Sequence, residues 1–280
     1  GLWRAMLPRP ALDTHKYARG HVAVFSGGAT ATGAARLSAM AAARIGAGAV
    51  TVLAPPDALA ANAAHLTSIM LQEAVDIEAA AAFANERRVA SIVYGPGLSP
   101  DAETGSGLFR LIDALNHSTP VVADASALTS LGLRPDLLAP PFAGRAGELV
   151  LTPHEGEFRR LFPDISDRAV PSKLERARQA AARTEAVVVY KGPDTVIAAP
   201  DGRAAINGNG TPLLATAGSG DVLAGLTAGL LAQRMQAFEA ACAAVWIHAE
   251  AAAHFGAGLI AEDLPLAILP VMKELLTDER

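Results

Sequence analysis

The chain has 280 residues, of which 51% are hydrophobic and 18% charged. That balance excludes intrinsic disorder, and surface scaling leaves only roughly 11,000 Å² exposed out of roughly 42,000 Å² for the unfolded chain, enough burial for a substantial core. With 23 basic and 28 acidic residues and a formal charge of −5, there is no basic footprint for nucleic acid or an anionic membrane surface, and the single Cys242 excludes an intrachain disulfide and suits a reducing, cytoplasmic setting.

Residues 1–16 hold two prolines and no clear period, and read as an N-terminal arm or linker. From there short β-branched or apolar runs alternate with alanine-rich helical segments. The pattern predicts a strand over 21–26, a helix over 34–45, a strand over 50–53 and helical segments through 57–83. Further strands follow at 91–94, 121–123 and 148–151, each leading through a turn into a helical pattern. Strands at 186–190 and 195–199 come next, and Asp201-Gly202 reads as a hairpin turn into 203–206. From 219 onward the chain is almost all helix. Strands separated by helices of 10–15 residues mean βαβ units, hence a mostly parallel sheet covered on both faces with antiparallel strands at one edge. Residues 17–280 therefore read as one α/β domain.

The mean hydropathy is +0.28, carried by alanine at 62 positions. The apolar stretches are interrupted before they reach the roughly 20 residues of a spanning helix; the longest, 237–253, contains Glu239, His248 and Glu250. No secretory signal opens the chain. It starts at Gly1 rather than Met, so it is expected to be a processed or excised piece of a longer protein.

In open α/β sheets ligands bind beyond the carboxyl ends of the strands, so the strand-to-helix turns are where chemistry is expected. The strongest is Ala215-Thr216-Ala217-Gly218-Ser219-Gly220-Asp221, which opens a helix. Its glycines leave backbone N–H groups unobstructed at a helix N-terminus, an anion site suited to phosphate. Asp221 there is either a first-turn carboxylate that stabilises the helix or a general base beside a phosphoryl donor. Lys191-Gly192-Pro193-Asp194-Thr195 reads as a hairpin turn, but a turn has no need of Lys191, which can meet phosphate as a point charge.

In Leu151-Thr152-Pro153-His154-Glu155-Gly156-Glu157, Thr152 can cap the following helix, with Pro153 at its first position and Glu155 three residues on. Capping leaves His154, at the ligand edge, unexplained. Gly95-Pro96-Gly97-Leu98 is a tight turn that also lets backbone approach a ligand. The turn from Ser26-Gly27-Gly28 to Gly33-Ala34-Ala35 lacks the dinucleotide fingerprint, and no Walker lysine loop is present. Asp124, at a strand end, can hold a metal or cap the helix over 126–131. The helically spaced His248, Glu250 and His254 read as surface or packed residues, Arg87-Arg88 and Arg159-Arg160 as solvated helix ends, and Cys242 as a small buried hydrophobe.

Taken in order, G-G, G-A-A, GPGL, TPHEGEF, KGPDT and GSGDVLAG resemble the carbohydrate-kinase family of NAD(P)H-hydrate dehydratases, over residues 15–263. The chain looks like the C-terminal domain of bifunctional nicotinamide-nucleotide repair enzymes. GSGD alone recurs across ribokinase-like folds; the TPHxGE and KGxxT strings in this order are much more specific. The resemblance implies a ribokinase-like three-layer α/β/α fold. It implies ADP-dependent (S)-NAD(P)H-hydrate dehydratase activity, a lyase reaction that restores NADH or NADPH from its C6-hydrated form. It places Lys191, Gly192, Pro193, Asp194, Thr195 and Gly220 on ADP or ATP, and Ala34 (with Ala35 beside it), Gly97, His154 and Asp221 on the hydrated cofactor, with Asp221 as the base. Mg²⁺ is expected on the nucleotide phosphates rather than in a protein-built metal site.

The resemblance further implies a fused N-terminal epimerase domain, and the alanine-rich helices suit a homo-oligomer. Two positions depart from the family pattern: Glu155 replaces the second proline of TPHPGE, and Gly210-Thr211-Pro212 replaces a Gly-Asn-Pro string. The competing readings are a small-molecule kinase of the same fold acting on a vitamin-precursor alcohol, and a non-catalytic nucleotide-binding module, for which Asp221 would have no use.

Overall fold

A computed structural model describes residues 2–9, 11, 14–116, 118–133, 149–166 and 172–277. Its sheet is built from β1 (His21–Phe25), β2 (Ala49–Ala54), β3 (Met70–Glu73), β4 (Ser91–Tyr94), β5 (Val121–Ala123), β6 (Leu149–Leu151), β7 (Val187–Tyr190), β8 (Val196–Ala198) and β9 (Ala204–Ile206), in the order β3-β2-β1-β4-β5-β6-β7-β8-β9. The strands from β3 to β7 run parallel; β8 and β9 are antiparallel at the edge, around the Asp201-Gly202 turn. The start of the sixth expected strand, residue 148, lies outside the described residues.

Side chains on successive strand residues point to opposite faces, and both faces are apolar. Val22, Val24, Val52, Val93, Val122, Val150 and Val189 join one core. Ala23, Phe25, Ile92, Tyr94, Ala123, Leu151 and Tyr190 join the other. The first core is closed by α1 (Gly33–Arg44), α8 (Ser219–Ala232), α9 (Ala237–Phe255) and α10 (Leu264–Thr277). The second is covered by α3 (Ile77–Glu86), α4 (Ala102–Ala114), α5 (Ser126–Leu131), α6 (Glu155–Leu161) and α7 (Lys173–Thr184). The result is the expected three-layer α/β/α arrangement. Helix α8 is buried continuously from Val222 to Ala232, as a helix apolar on all sides must be. Ser38 Oγ of α1 donates to the Asp221 carbonyl at 2.8 Å, which fixes its amino end. No described helix is long and apolar enough to cross a membrane.

One element departs from the expectation. The stretch 57–83 is not continuously helical: after a short α2 (Leu59–Ala63) the chain forms β3, which pairs parallel with β2 at the sheet edge. β3 is four residues long and mostly exposed, so it lacks the buried run that marks the inner strands. The described part of the arm packs on the body. The Trp3 ring lies 5.5 Å from that of Trp246, Leu7 is buried, and Arg9 Nη1 donates to the Leu276 carbonyl at 2.9 Å.

Candidate active site

The carboxyl ends of β1, β4, β5, β6 and β7 deliver Ser26-Gly27, Gly95-Pro96-Gly97, Asp124, Thr152-Pro153-His154 and Lys191 to one rim, where α8 begins. Adjacent strands bring distant turns together: the Lys191 N–H donates to the Pro153 carbonyl at 2.8 Å. Gly27 and Gly97 touch through their backbones; a Cβ on Gly27 would fall 1.9 Å from the Gly97 carbonyl oxygen. The same approach seats Gly97 against Ala34, 3.6 Å from Ala34 Cβ to where a Gly97 Cβ would sit. Ala34 is half-buried, whereas Ala35 is fully buried and belongs to the core.

At the centre, Lys191 Nζ donates to Asp124 Oδ1 at 2.7 Å, with Asp124 2% exposed and Lys191 20%. Burial alone would depress the lysine, but Asp124, Glu157 and Asp221 around it raise its pKa above the ordinary value. Asp124 was expected to hold a metal or to cap α5. Instead its side chain takes the lysine, and α5 starts after Ala125, held at φ +50°, with no side-chain cap.

The first turn of α8 closes on this pair. Gly218 has φ +89°, a left-handed conformation that admits glycine without strain and turns the chain into the helix. A Cβ on Gly220 would lie 3.4 Å from Lys191 Nζ and 3.5 Å from Asp124 Oδ2. Burial, reinforced by the charge of Asp124 and opposed by Lys191, pushes the Asp221 carboxyl up to about 6. A carboxylate whose pKa lies just below neutrality is ionised at neutral pH yet basic enough to accept a proton.

Helix α6 is capped differently from the expectation. Thr152 is drawn into the sheet, where its hydroxyl donates to the Ala123 carbonyl at 3.3 Å. The cap is His154: its Nδ1 accepts from the Gly156 and Glu157 N–H groups at 3.0 and 3.3 Å, and the His154 N–H donates to Glu157 Oε2 at 2.9 Å, a capping box. The His154 side chain remains 56% exposed at the rim. Glu157, 4% exposed and raised by burial against the pull of Lys191, joins the cluster. Glu155, at the departure from the family pattern, bonds Tyr190 Oη and Arg159 Nε.

Beside Lys191 lies a cavity of about 400 Å³ that brings together Lys191, Gly192, Pro193, Thr195, Gly220 and His248. Asp194 stands off its wall, its carboxylate on Lys173 Nζ at 2.7 Å. His248 is 5% exposed with no partner for Nε2, and burial lowers its pKa to about 4, so the ring is neutral. It is separate from Glu250, which is held by Asn209. Among the described residues no group of three or more His, Cys, Asp or Glu side chains converges to hold a metal. Sequence reasoning missed Glu157, since the capping role was read there on Glu155, and the place of His248 in the cavity wall.

Comparison with known proteins agrees with this geometry. Residues 22–270 match the family model for NAD(P)H-hydrate dehydratase. The chain is 37% identical over 289 residues to the bifunctional NAD(P)H-hydrate repair enzyme of Moorella thermoacetica, covering 99% of this chain but 53% of that protein, so it spans about half the length of that relative. It is 36% identical over 261 residues to the ADP-dependent (S)-NAD(P)H-hydrate dehydratase of Neisseria meningitidis serogroup B, covering 91% of this chain and 85% of that one. The crystal structure of the ADP/ATP-dependent NAD(P)H-hydrate dehydratase of Bacillus subtilis, co-crystallized with ATP/Mg²⁺, superposes with a TM-score of 0.80 at 28% identity, covering 97% and 95% of the two chains. The chain therefore belongs to the NAD(P)H-hydrate dehydratase family.

Proposed function

We propose that this chain catalyses the ADP-dependent dehydration of (S)-NAD(P)H hydrate to NAD(P)H, releasing AMP and phosphate. The observation that carries the reading is the Asp221 carboxyl, raised to about 6 at the uncrowded amino end of α8, beside the Lys191–Asp124 pair and the cavity they border.

In this reading the nucleotide lies in the cavity beside Lys191, with Gly192, Pro193, Thr195 and Gly220 against it and Asp194 acting from outside through Lys173. The hydrated ring lies on the other side of Asp221, towards Ala34, Gly97 and His154. Asp221 accepts the proton of the C6 hydroxyl as its oxygen attacks the terminal phosphorus of ADP and the bond to AMP breaks. Lys191 and the N–H groups at the start of α8 face the charge on the transferring group, in a pocket where burial strengthens them. The ring nitrogen lone pair then expels phosphate from C6, a proton leaves C5, and the dihydronicotinamide is restored.

Mg²⁺ enters as the counter-ion of the nucleotide phosphates, whose charge it neutralises. The nearby carboxylates suit that role poorly as a cage, since Asp124 already holds an ammonium; the phosphates would be its main ligands. The second activity of the bifunctional relatives, expected to be epimerisation of the hydrate, would lie outside this chain.

The test is product stoichiometry. NADH hydrate incubated with the chain, Mg²⁺ and ADP should yield NADH, AMP and phosphate in equal amounts. A phosphorylated hydrate that accumulates without NADH would identify a kinase instead, and unconsumed ADP a binding module.

A further inference from the structure

The loop from Lys191 to Thr195, between β7 and β8, is held from within and from outside. Within it, Thr195 Oγ1 donates to the Gly192 carbonyl at 2.8 Å and accepts from the Gly192 N–H at 3.2 Å. From outside comes Lys173, the first residue of α7. Its Nζ donates to the Lys191 carbonyl at 3.4 Å, to the Asp194 carbonyl at 3.2 Å and to Asp194 Oδ1 at 2.7 Å.

The ammonium is closely seated. It lies 4.9 Å from the ring centre of Tyr190, a fully buried residue that stacks on Phe158 at 3.9 Å. A Cβ on Gly192 would fall 2.5 Å from Lys173 Nζ, so the glycine lets the ammonium reach the backbone of the loop.

Nothing in α7 itself calls for a cation at this position. The positive end of the helix dipole opposes one there. Ser172 already caps the helix, accepting from the Glu175 N–H at 3.1 Å, and the Glu175 carboxylate accepts from Gln179 rather than pairing with Lys173. A residue set against its local preference, with its contacts made elsewhere, marks a functional position.

Those contacts have a consequence for phosphate. In a trans peptide the C=O and N–H point in opposite directions. Drawing the Lys191 and Asp194 carbonyls to Lys173 therefore turns the N–H groups of Gly192 and Thr195 away from it. Both residues line the cavity beside Lys191, whereas Lys173 stays off its wall. N–H groups, not carbonyl oxygens, are what an anion-binding loop must present.

On the nucleotide-dependent reading above, we propose that Lys173 is a positioning residue for ADP. It touches no phosphate, but holds the loop over 191–195 in the shape that receives the nucleotide. Asp194, which the family resemblance places on the nucleotide, acts by anchoring that ammonium.

Calorimetric titration of the full chain with ADP and Mg²⁺ tests this. Lys173→Met should weaken binding at least about tenfold, the scale of lost hydrogen bonds to a charged group. Lys173→Arg, which keeps the charge and the donors, should retain most of the affinity. Asp194→Ala, at a side chain 62% exposed and so safe for folding, should weaken binding about two- to fivefold, the scale of one surface ion pair. It should add no further loss to Lys173→Met. In turnover the loss should fall on KM for ADP, leaving kcat at saturating ADP and KM for the hydrate in place. A lysine that only stabilised α7 would lower the thermal transition and move none of these. Unchanged ADP affinity in Lys173→Met or in Asp194→Ala would overturn the proposal, as would a further loss when the two are combined. A wild type that binds ADP without restoring NADH would overturn the proposed function alone; one that binds no ADP would overturn both.

Discussion

The ammonium of Lys191 is bonded to the carboxylate of Asp124 at 2.7 Å, and this pair lies against the first turn of α8 where Asp221 begins. Two opposite charges thereby act on one neighbouring carboxyl, Asp124 raising and Lys191 lowering its pKa, on top of the larger effect of burial.

The pH dependence of turnover follows from that balance. The proposed base must be ionised, so kcat/KM should rise with unit slope through about pH 6 and then level off. Lys191→Met removes the charge that favours the carboxylate and should move this limb to higher pH. A wild-type limb near the ordinary carboxylate value would contradict the assignment.

Stability should respond in the opposite sense. Asp221 holds a proton in the folded state up to about pH 6, against an ordinary value of 3.8, so the folded chain binds more protons between those values and loses stability as pH rises through them. Asp221→Asn removes that penalty. The variant should be more stable than the wild type at pH 7.5, by on the order of 2–3 kcal/mol at most, read as a higher thermal transition, and the difference should vanish below the ordinary value of 3.8.

Lys191→Met strips a buried carboxylate of its partner. Breaking such a pair from one side costs about 3–5 kcal/mol, read as a fall in the denaturant midpoint. Combining Asp124→Asn with Lys191→Met should recover most of the loss, because no lone charge then remains. Strict additivity of the two single changes would show that the pair is not coupled.

The two glycines of the α8 turn should separate folding from binding. Gly218→Ala places a Cβ 2.7 Å from Leu37 Cδ1 and 2.9 Å from Ala261 Cβ at a left-handed φ, which should cost about 1–3 kcal/mol of stability. Gly220→Ala meets only the far end of Lys191 and Asp124, at 3.4 and 3.5 Å. It should leave the thermal transition almost unchanged while weakening ADP binding at least about tenfold, because it fills the cradle of an anion site.

Much of this was legible in the sequence, for local reasons. The inner strands are continuous apolar runs because both faces are buried, and the glycine turns stand at their carboxyl ends. β3 was not legible, since an exposed edge strand of four residues carries no such pattern. The cap of α6 was misread at Thr152 because Thr-Pro-x-Glu has the form of a capping sequence; only the pairing of β6 with β5 shows Thr152 bonded into the sheet, leaving His154 at the helix start. The partnership of Asp124 with Lys191 spans 67 residues and depends on the strand order β5-β6-β7, which no local spacing encodes.

The central claim is that Asp221 drives a nucleotide-dependent dehydration. The most direct measurement is recovery of reduced-nicotinamide absorbance from NADH hydrate with Mg²⁺ and ADP, wild type beside Asp221→Asn. Loss of a general base costs about 10²–10⁴-fold, so the account predicts recovery by the wild type and a rate reduced by at least about a hundredfold in a folded variant that still binds ADP. Equal rates in the two chains, or no recovery by a wild type that binds ADP, would contradict it.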